Sequence, residues 1–452
     1  MRSINPATAE LIREYDEMTP RELEQALIAA SEAFALWGEA ALGERLGVLA
    51  RAARILRHSK HEYARLITLE MGKPISQAEA EIEKCAWLCD EVANLAERSL
   101  APELVATEAQ KSYVRFDPLG PVLAIMPWNF PFWQLFRFGA PALAAGNVVL
   151  LKHARNTTGC ALAIQELFRR AGAEPGVVST LIADDENIER VIADPRVAAV
   201  TLTGSVRAGR AVGAAAGGHL KPVVLELGGS DPFIVLGDAD IGRAAEVGVQ
   251  ARMQNTGQSC IAAKRFIVES AVAERFEEAF VERVKRLRIG DPLDPATEIG
   301  PLARLDLLEG LHRQVVESLE ADARVVIGGE RLDRPGFFYA PTVLGGTRPG
   351  MVAFDEETFG PVAALCRADD EGHALRLANA SRFGLGASLW TSDRARAERV
   401  AGVLDTGNVF VNALVKSDPR LPFGGTKDSG FGRELGIFGM RQFTNVKTVW
   451  VD

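Results

Sequence analysis

Cysteine is scarce and irregularly placed. The 452 residues hold five, Cys85, Cys89, Cys160, Cys260 and Cys366, an odd number whose spacing excludes a simple disulfide framework and suits reduced thiols. Cys85 and Cys89 lie one helical turn apart, yet no CxxC and no nearby His pair completes a zinc set, so no metal is expected. Clustered positive charge is missing too: 51 Lys and Arg against 60 Asp and Glu leave a net charge of -9, with no basic block. Phosphate backbones are not held without one, which excludes nucleic acid as a partner. Uninterrupted apolar helix is missing as well. The most apolar stretch, Gly120 to Leu151, carries Arg137 as its only charge, but Pro121, Pro127, Pro131 and Pro141 cut it into lengths too short to span a bilayer. The opening MRSINPATAELIREYDEM lacks a signal-type apolar core, so a cytoplasmic location is expected. No internal repeat or low-complexity segment appears.

What is present is an ordinary globular balance, 47% apolar and 25% charged, in a chain long enough for two or three domains at about 150 residues each. Pro20 to Arg98 carries apolar residues at three- and four-residue spacing, which predicts helices. Leu104 to Phe116 alternates apolar and polar residues and reads as exposed strands, a projecting hairpin. From Pro121 onward VLAIM, NVVLL, VVSTLI, AAVTLT and VVLEL alternate with helical stretches, the pattern of βαβ units and a parallel sheet whose sites lie at the strands' carboxyl ends. A second strand-helix series begins near Pro232. The chain closes on FTNVKTVWV, a strand with no evident partner, expected to join the sheet of a neighbouring subunit.

Several segments carry candidate chemistry. In Pro127-Trp128-Asn129-Phe130-Pro131 two prolines fix the backbone around Asn129, whose amide suits either an oxyanion or an ordinary turn. Lys152-His153-Ala154-Arg155 brings two cations off a strand end, either a solvated pair or contacts for ribose and phosphate. Thr203-Gly204-Ser205 precedes a helix and offers free N–H groups to a pyrophosphate, although plain capping is the simpler reading and no GxGxxG is near. Glu226-Leu227-Gly228-Gly229 ends an apolar strand with a carboxylate suited to general-base work if burial raises its pKa. Within NTGQSCIAAKR, Cys260 has small and polar neighbours and is either a nucleophile or a packing residue. Arg137, two turns past Asn129, shares a helix face with Trp133. A buried arginine needs an anionic partner, either an internal carboxylate or that of a bound substrate.

Taken in order, PWNFP, LTGS, LELGG, GQSC, EETFGPV and PFGGTKDSGFGRELG resemble the motifs of the aldehyde dehydrogenase superfamily over nearly the whole chain. The resemblance implies an α/β fold with two parallel-sheet Rossmann-like domains and a small β oligomerisation element. Residues 1–102 and 117–229 would bind the dinucleotide, 230–435 would carry catalysis, and 103–116 with 436–452 would join a homodimer or homotetramer. It implies Cys260 as nucleophile, Asn129 and the Cys260 N–H as oxyanion donors, and Glu226 as the base that activates water on a thioester. Met126, Pro127, Trp128, Lys152, Arg155, Gly204, Ser205, Glu357 and Phe359 would line the cofactor. NAD-preferring relatives often carry Glu three residues after the lysine; Arg155 stands there instead and leans the expectation toward NADP over NAD. WNFPFWQ, KHA, ELGGSDPFIVL and GQSCIAAKRFIV are most similar to bacterial succinate-semialdehyde dehydrogenases, in which an Arg at position 137 and a Ser at position 417, beside Trp133, clasp the distal carboxylate. The implied reaction is oxidation of succinate semialdehyde to succinate. The alternatives are a glutarate semialdehyde, aminoaldehyde or aromatic aldehyde substrate, or a catalytically silent structural protein on the same scaffold. Ala262 stands where some relatives carry the second cysteine of a redox pair.

Overall fold

Five short Val- and Leu-rich strands of the central region pair in parallel. Their spatial order is Val223–Glu226, Ala199–Thr203, Pro121–Met126, Val148–His153 and Val178–Thr180. Each runs as near-continuous apolar sequence because helices cover both sheet faces. In a computed structural model describing residues 1–452, the chain builds outward from Pro121–Met126 first to one side and then to the other. That reversal opens a crevice at the carboxyl end of Pro121–Met126, where PWNFP and the Thr203-Gly204-Ser205 turn both emerge.

A second sheet of seven strands follows in the order Arg324–Ile327, Thr342–Gly345, Val362–Ala368, Ala263–Glu269, Asp231–Val235, Gly386–Trp390 and Asn408–Val411, all parallel except the first. Gly430–Phe431 then crosses back and pairs antiparallel with Glu226 and Leu225. The Gly-rich motif PFGGTKDSGFGRELG thereby closes over the strand that carries Glu226.

One expectation needs correction. The closing strand, Thr444–Val451, pairs antiparallel with Lys111–Pro118 of its own chain, in unbroken register from Thr444 opposite Pro118 to Val451 opposite Lys111. Two eight-residue strands match end to end, and Glu103–Leu104 pairs on the far side of Lys111–Pro118. Only the outer edge of Thr444–Val451 is left without a partner in the chain. The N-terminus, read only as lacking a signal-type apolar core, forms a hairpin of Arg2–Asn5 and Glu10–Glu14. Its second strand, ELIRE, is exposed throughout, so no inward and outward alternation marked it. No helix is long and apolar enough to cross a membrane.

Candidate active site

The helix Pro131–Ala145 is buried at all fifteen positions, so its orphan N-terminal donors need an internal acceptor. Glu81, on the helix Ile75–Leu100, provides it: Oε1 accepts the N–H groups of Phe132 at 2.9 Å and Trp133 at 3.0 Å. The other Glu81 oxygen pairs with the fully buried Lys73, whose ammonium lies 3.6 Å from the centre of the Phe130 ring. His153 holds the same corner from the neighbouring strand. Its Nε2 lies 2.9 Å from the Pro131 carbonyl and its Nδ1 2.8 Å from the Thr157 hydroxyl. Burial lowers His153 to about 4, so it is a neutral donor and acceptor. These contacts fix the direction in which Asn129 leaves the preceding strand.

The loop before Cys260 is wound tightly. Asn255, Thr256 and Gly257 all have positive φ (54°, 55° and 73°), a conformation costly for the first two and held by its surroundings. The Asn255 side chain donates to the Asn129 carbonyl at 2.8 Å and to the Gln258 carbonyl at 3.1 Å, and Asn129 Nδ2 donates to the same Gln258 oxygen at 3.1 Å. PWNFP and the cysteine loop are therefore tied side chain to backbone. Buried Arg252 reaches across with one guanidinium nitrogen to the carbonyls of Thr358, at 2.9 Å, and Gly360. At Gly257 a Cβ would lie 2.2 Å from the Gly360 oxygen, so no side chain fits between the two loops. Lys264, fully buried, donates to the carbonyls of Ser259 at 2.9 Å and Cys260 at 2.6 Å, and lies 3.5 Å from Glu357.

These loops enclose a cavity of about 350 Å³ lined by Pro127, Trp128, Asn129, Gly204, Ser205, Cys260, Glu357 and Phe359 among the residues singled out in the sequence. Thr203, Leu227 and Gly228, from two of the candidate segments, line it too, as do Gln134, Arg304 and Leu307, which were not anticipated. Trp128 meets Phe359 edge to face at 5.6 Å, and Glu357 accepts the Gly229 N–H at 3.1 Å. A Cβ on Gly229 would lie 2.6 Å from the Cys260 carbonyl, so the glycine lets the end of Glu226's strand pass directly behind the cysteine. Cys260 is the only cysteine of the five that is not buried. Its thiol is nevertheless pushed up to about 12 by desolvation, with Arg137 and Lys264 pulling it down and Glu357 and Glu226 acting against them. The resting form is a thiol that needs a base or a change of surroundings to ionise.

Glu226, Arg137, Trp133 and Ser417 do not line that cavity but form the ground behind it. Arg137 pairs through Nε with Glu434 and lies 3.5 Å from Glu226, with all three side chains 2% exposed. Internal carboxylates are thus its anionic partners. The pairing is by charge, since neither Glu226 nor Glu434 accepts an aligned hydrogen bond. Burial raises Glu226, Arg137 draws it back and Glu434 raises it further, so it is a carboxylate shifted toward basicity. Trp133 donates from Nε1 to the Ser417 hydroxyl at 3.1 Å, where it meets Lys84, a residue that sequence inspection had absorbed into a helical pattern.

The other residues singled out in the sequence are spread along the crevice. Ser205 caps the helix Val206–Gly218, accepting the Ala208 N–H at 3.2 Å, while the other first-turn N–H groups have no intrahelical acceptor. Lys152 lies 3.2 Å from Asp185. Arg155 is exposed on the following turn, without an ion pair. Met126 ends the central strand, buried.

A model of the aldehyde dehydrogenase family matches residues 1–449. The chain is 49% identical over 450 residues to the NAD(P)+ succinate semialdehyde dehydrogenase of Escherichia coli (strain K12), covering 100% of this chain and 97% of that protein. It is 46% identical over 452 residues to NADP(+) succinate-semialdehyde dehydrogenase 1 of Mycobacterium tuberculosis (strain ATCC 25618 / H37Rv), covering 99% of each. The crystal structure of succinic semialdehyde dehydrogenase from Streptococcus pyogenes in complex with NADP+ superposes with a TM-score of 0.98 at 37% identity, over 100% of this chain and 99% of that one.

Proposed function

The chain belongs to the aldehyde dehydrogenase family, and from that premise we propose that it oxidises succinate semialdehyde to succinate with NADP, or less readily NAD. One observation carries the proposal. A partly exposed thiol shares one cavity with an amide donor, a helix N-terminus and an acidic residue opposite an aromatic ring, namely Cys260, Asn129, Ser205, Glu357 and Phe359.

The donor set fits a dinucleotide. The open N–H groups of Ser205 and of the first turn of Val206–Gly218 suit its phosphates, Lys152 and Glu357 suit ribose hydroxyls, and Trp128 and Phe359 supply flat apolar walls. Pro127 lines the cavity at the strand end, with buried Met126 beneath it in the strand. Exposed Arg155, free of any carboxylate, suits a 2′-phosphate, in line with the NADP relatives. When bound, the dinucleotide supplies the acceptor for a hydride.

The chain's own residues supply the rest. Cys260 Sγ adds to the carbonyl carbon once its proton is lost, and the new oxyanion is held by the Asn129 amide and the Cys260 N–H. Loss of hydride from that carbon leaves a thioester on Cys260. Glu226 takes a proton from the water that attacks the thioester, the sulfur departs and the acid is released. Arg137 keeps Glu226 ionisable in its dry surroundings.

We also assign residues 1–102 and 117–229 to dinucleotide binding, 230–435 to catalysis, and 103–116 with 436–452 to homo-oligomerisation in the cytoplasm. Support for an interface comes from the three-stranded sheet, whose exposed Leu104, Val446, Trp450 and Val451 sit beside an unpaired strand edge.

The test is the purified protein with succinate semialdehyde, glutarate semialdehyde, an aminoaldehyde, an aromatic aldehyde and butanal, each with NADP and with NAD, following reduced cofactor. Succinate semialdehyde with NADP should give the highest kcat/KM, and a strong NAD preference would overturn the reading of Arg155. Cys260→Ala should be inactive. Glu226→Gln should release a burst of about one reduced cofactor per site and then stall, because acylation survives while thioester hydrolysis does not.

A further inference from the structure

The peptide that joins Ser259 to Cys260 is gripped at one end and open at the other. Its oxygen accepts the Ala262 N–H at 3.2 Å and the Lys264 ammonium at 2.9 Å. The same ammonium donates to the next carbonyl, that of Cys260, at 2.6 Å. At the opposite end of the peptide the Cys260 N–H has no acceptor in the chain. It faces the cavity with Asn129, whose amide gives one N–H to the Gln258 carbonyl at 3.1 Å and keeps the other.

Lys264 has no exposed surface, and a buried ammonium persists only where its charge is answered. Two carboxylates answer it, neither in tight contact. Glu357 lies at 3.5 Å, and Asp231, buried on the adjacent strand, acts through charge alone. Asp231 Oδ1 accepts the Gly386 N–H at 3.1 Å, and Oδ2 has no donor. The ammonium therefore gives its short hydrogen bonds to peptide oxygens. Its placement follows from the chain order: Lys264 is the second residue of the strand Ala263–Glu269, directly after the turn, and its side chain reaches back beneath the peptides it has just left. A cation on a carbonyl oxygen draws electron density through the peptide and makes the N–H at the other end a stronger donor, an effect that grows where water is excluded.

We propose that Lys264 is a positioning residue of the oxyanion site, which fixes the direction of the Cys260 N–H from behind the Ser259–Cys260 peptide and strengthens it as a donor. The inference rests on the reading of Cys260 as nucleophile with Asn129 and the Cys260 N–H as oxyanion donors, and names the residue on which that N–H depends. Its benefit falls in the tetrahedral state, where the substrate oxygen carries a full charge, and is small for the neutral carbonyl. Lys264 does not line the cavity, so it acts alike on every aldehyde.

Two reactions of the Cys260 thiol separate this role from a general effect on sulfur. Iodoacetamide is attacked at a saturated carbon, iodide leaves and no oxyanion forms. With p-nitrophenyl acetate, Sγ loses its proton to solvent and bonds to the carbonyl carbon, the carbonyl oxygen takes the negative charge, and the C–O bond then breaks to release p-nitrophenolate. Both reactions need the thiolate and neither needs the dinucleotide. The two rates are measured for wild type, Lys264→Met, Lys264→Met with Asp231→Asn, and Asn129→Ala, with Cys260→Ala as the blank. The double variant removes the carboxylate that the lost ammonium would leave unanswered, should the single one fold poorly. Lys264→Met should slow alkylation slightly, because the ammonium also draws the thiol down. Acylation should fall about tenfold further in both Lys264 variants, a fraction of the hundredfold or so expected for loss of a whole oxyanion donor in Asn129→Ala. In both, kcat/KM for succinate semialdehyde and for butanal should drop by the same factor. A ratio of acylation to alkylation that stays at the wild-type value in either Lys264 variant overturns the assignment, as does a loss confined to one aldehyde. If Asn129→Ala also keeps the wild-type ratio, the oxyanion reading itself fails.

Discussion

Arg137 and Lys84 are two cations set into adjoining helices, Pro131–Ala145 and Ile75–Leu100, and they differ in what answers their charge. Arg137 has two carboxylates, Glu434 in contact and Glu226 at 3.5 Å, and is sealed from water with them. Lys84 has a hydroxyl and an aromatic face and no carboxylate. The guanidinium fork suits a shared, permanent role between two acids, whereas an ammonium with no carboxylate in contact gives up its proton more readily. A cation with internal partners is part of the machinery that keeps Glu226 ionisable despite its burial.

The largest effect separating the two should be on folding. Arg137→Met leaves two buried carboxylates facing each other and should destabilise the protein by about 3–5 kcal/mol, the usual result of breaking a buried ion group by removing one member. Guanidinium unfolding checks it, and adding Glu226→Gln and Glu434→Gln to the same chain should recover most of the loss. Lys84→Met, by contrast, removes a desolvated charge and should leave stability equal to or above that of wild type. Equal destabilisation by both variants would end the distinction.

The same contrast marks what the sequence could disclose. The strands from Pro121 to Glu226 were legible because parallel strands buried on both faces are runs of Val, Leu and Ile cut by Pro and Gly. The loops at their ends were legible as chemistry because Asn129, Ser205 and Glu226 each sit at a strand terminus. Arg137 stood out as the one charge in an apolar helix, but its partner Glu434 comes from a Gly-rich loop of the C-terminal region, and nothing local selects it over a ligand. Lys84 was illegible for the opposite reason. It lies among charges in an amphipathic helix, and its meaning comes from Ser417, 333 residues away. Arg252 and Lys264 were missed in the same way, since both act on backbone carbonyls of loops brought together by the fold. The partner of Thr444–Val451 was missed because an exposed alternating strand advertises that it will pair and not with what.

The smallest predicted effect is the most diagnostic, because it follows the Lys84 proton itself. Burial, helped by Arg137, lowers Lys84 to about 8, while Cys85, Asp418 and Glu81 pull it back toward its ordinary 10.5. The cation is present below about pH 8 and is lost above it. Between about 8 and 10.5 the unfolded chain holds the Lys84 proton and the native chain does not, so stability from this group increases with pH across that window. Subtracting the unfolding free energy of Lys84→Met from that of wild type at each pH removes the titrations that the two chains share. The rise of that difference with pH should vanish in Lys84→Arg, whose guanidinium stays charged throughout. A rise that persists in Lys84→Arg would place the titrating group elsewhere.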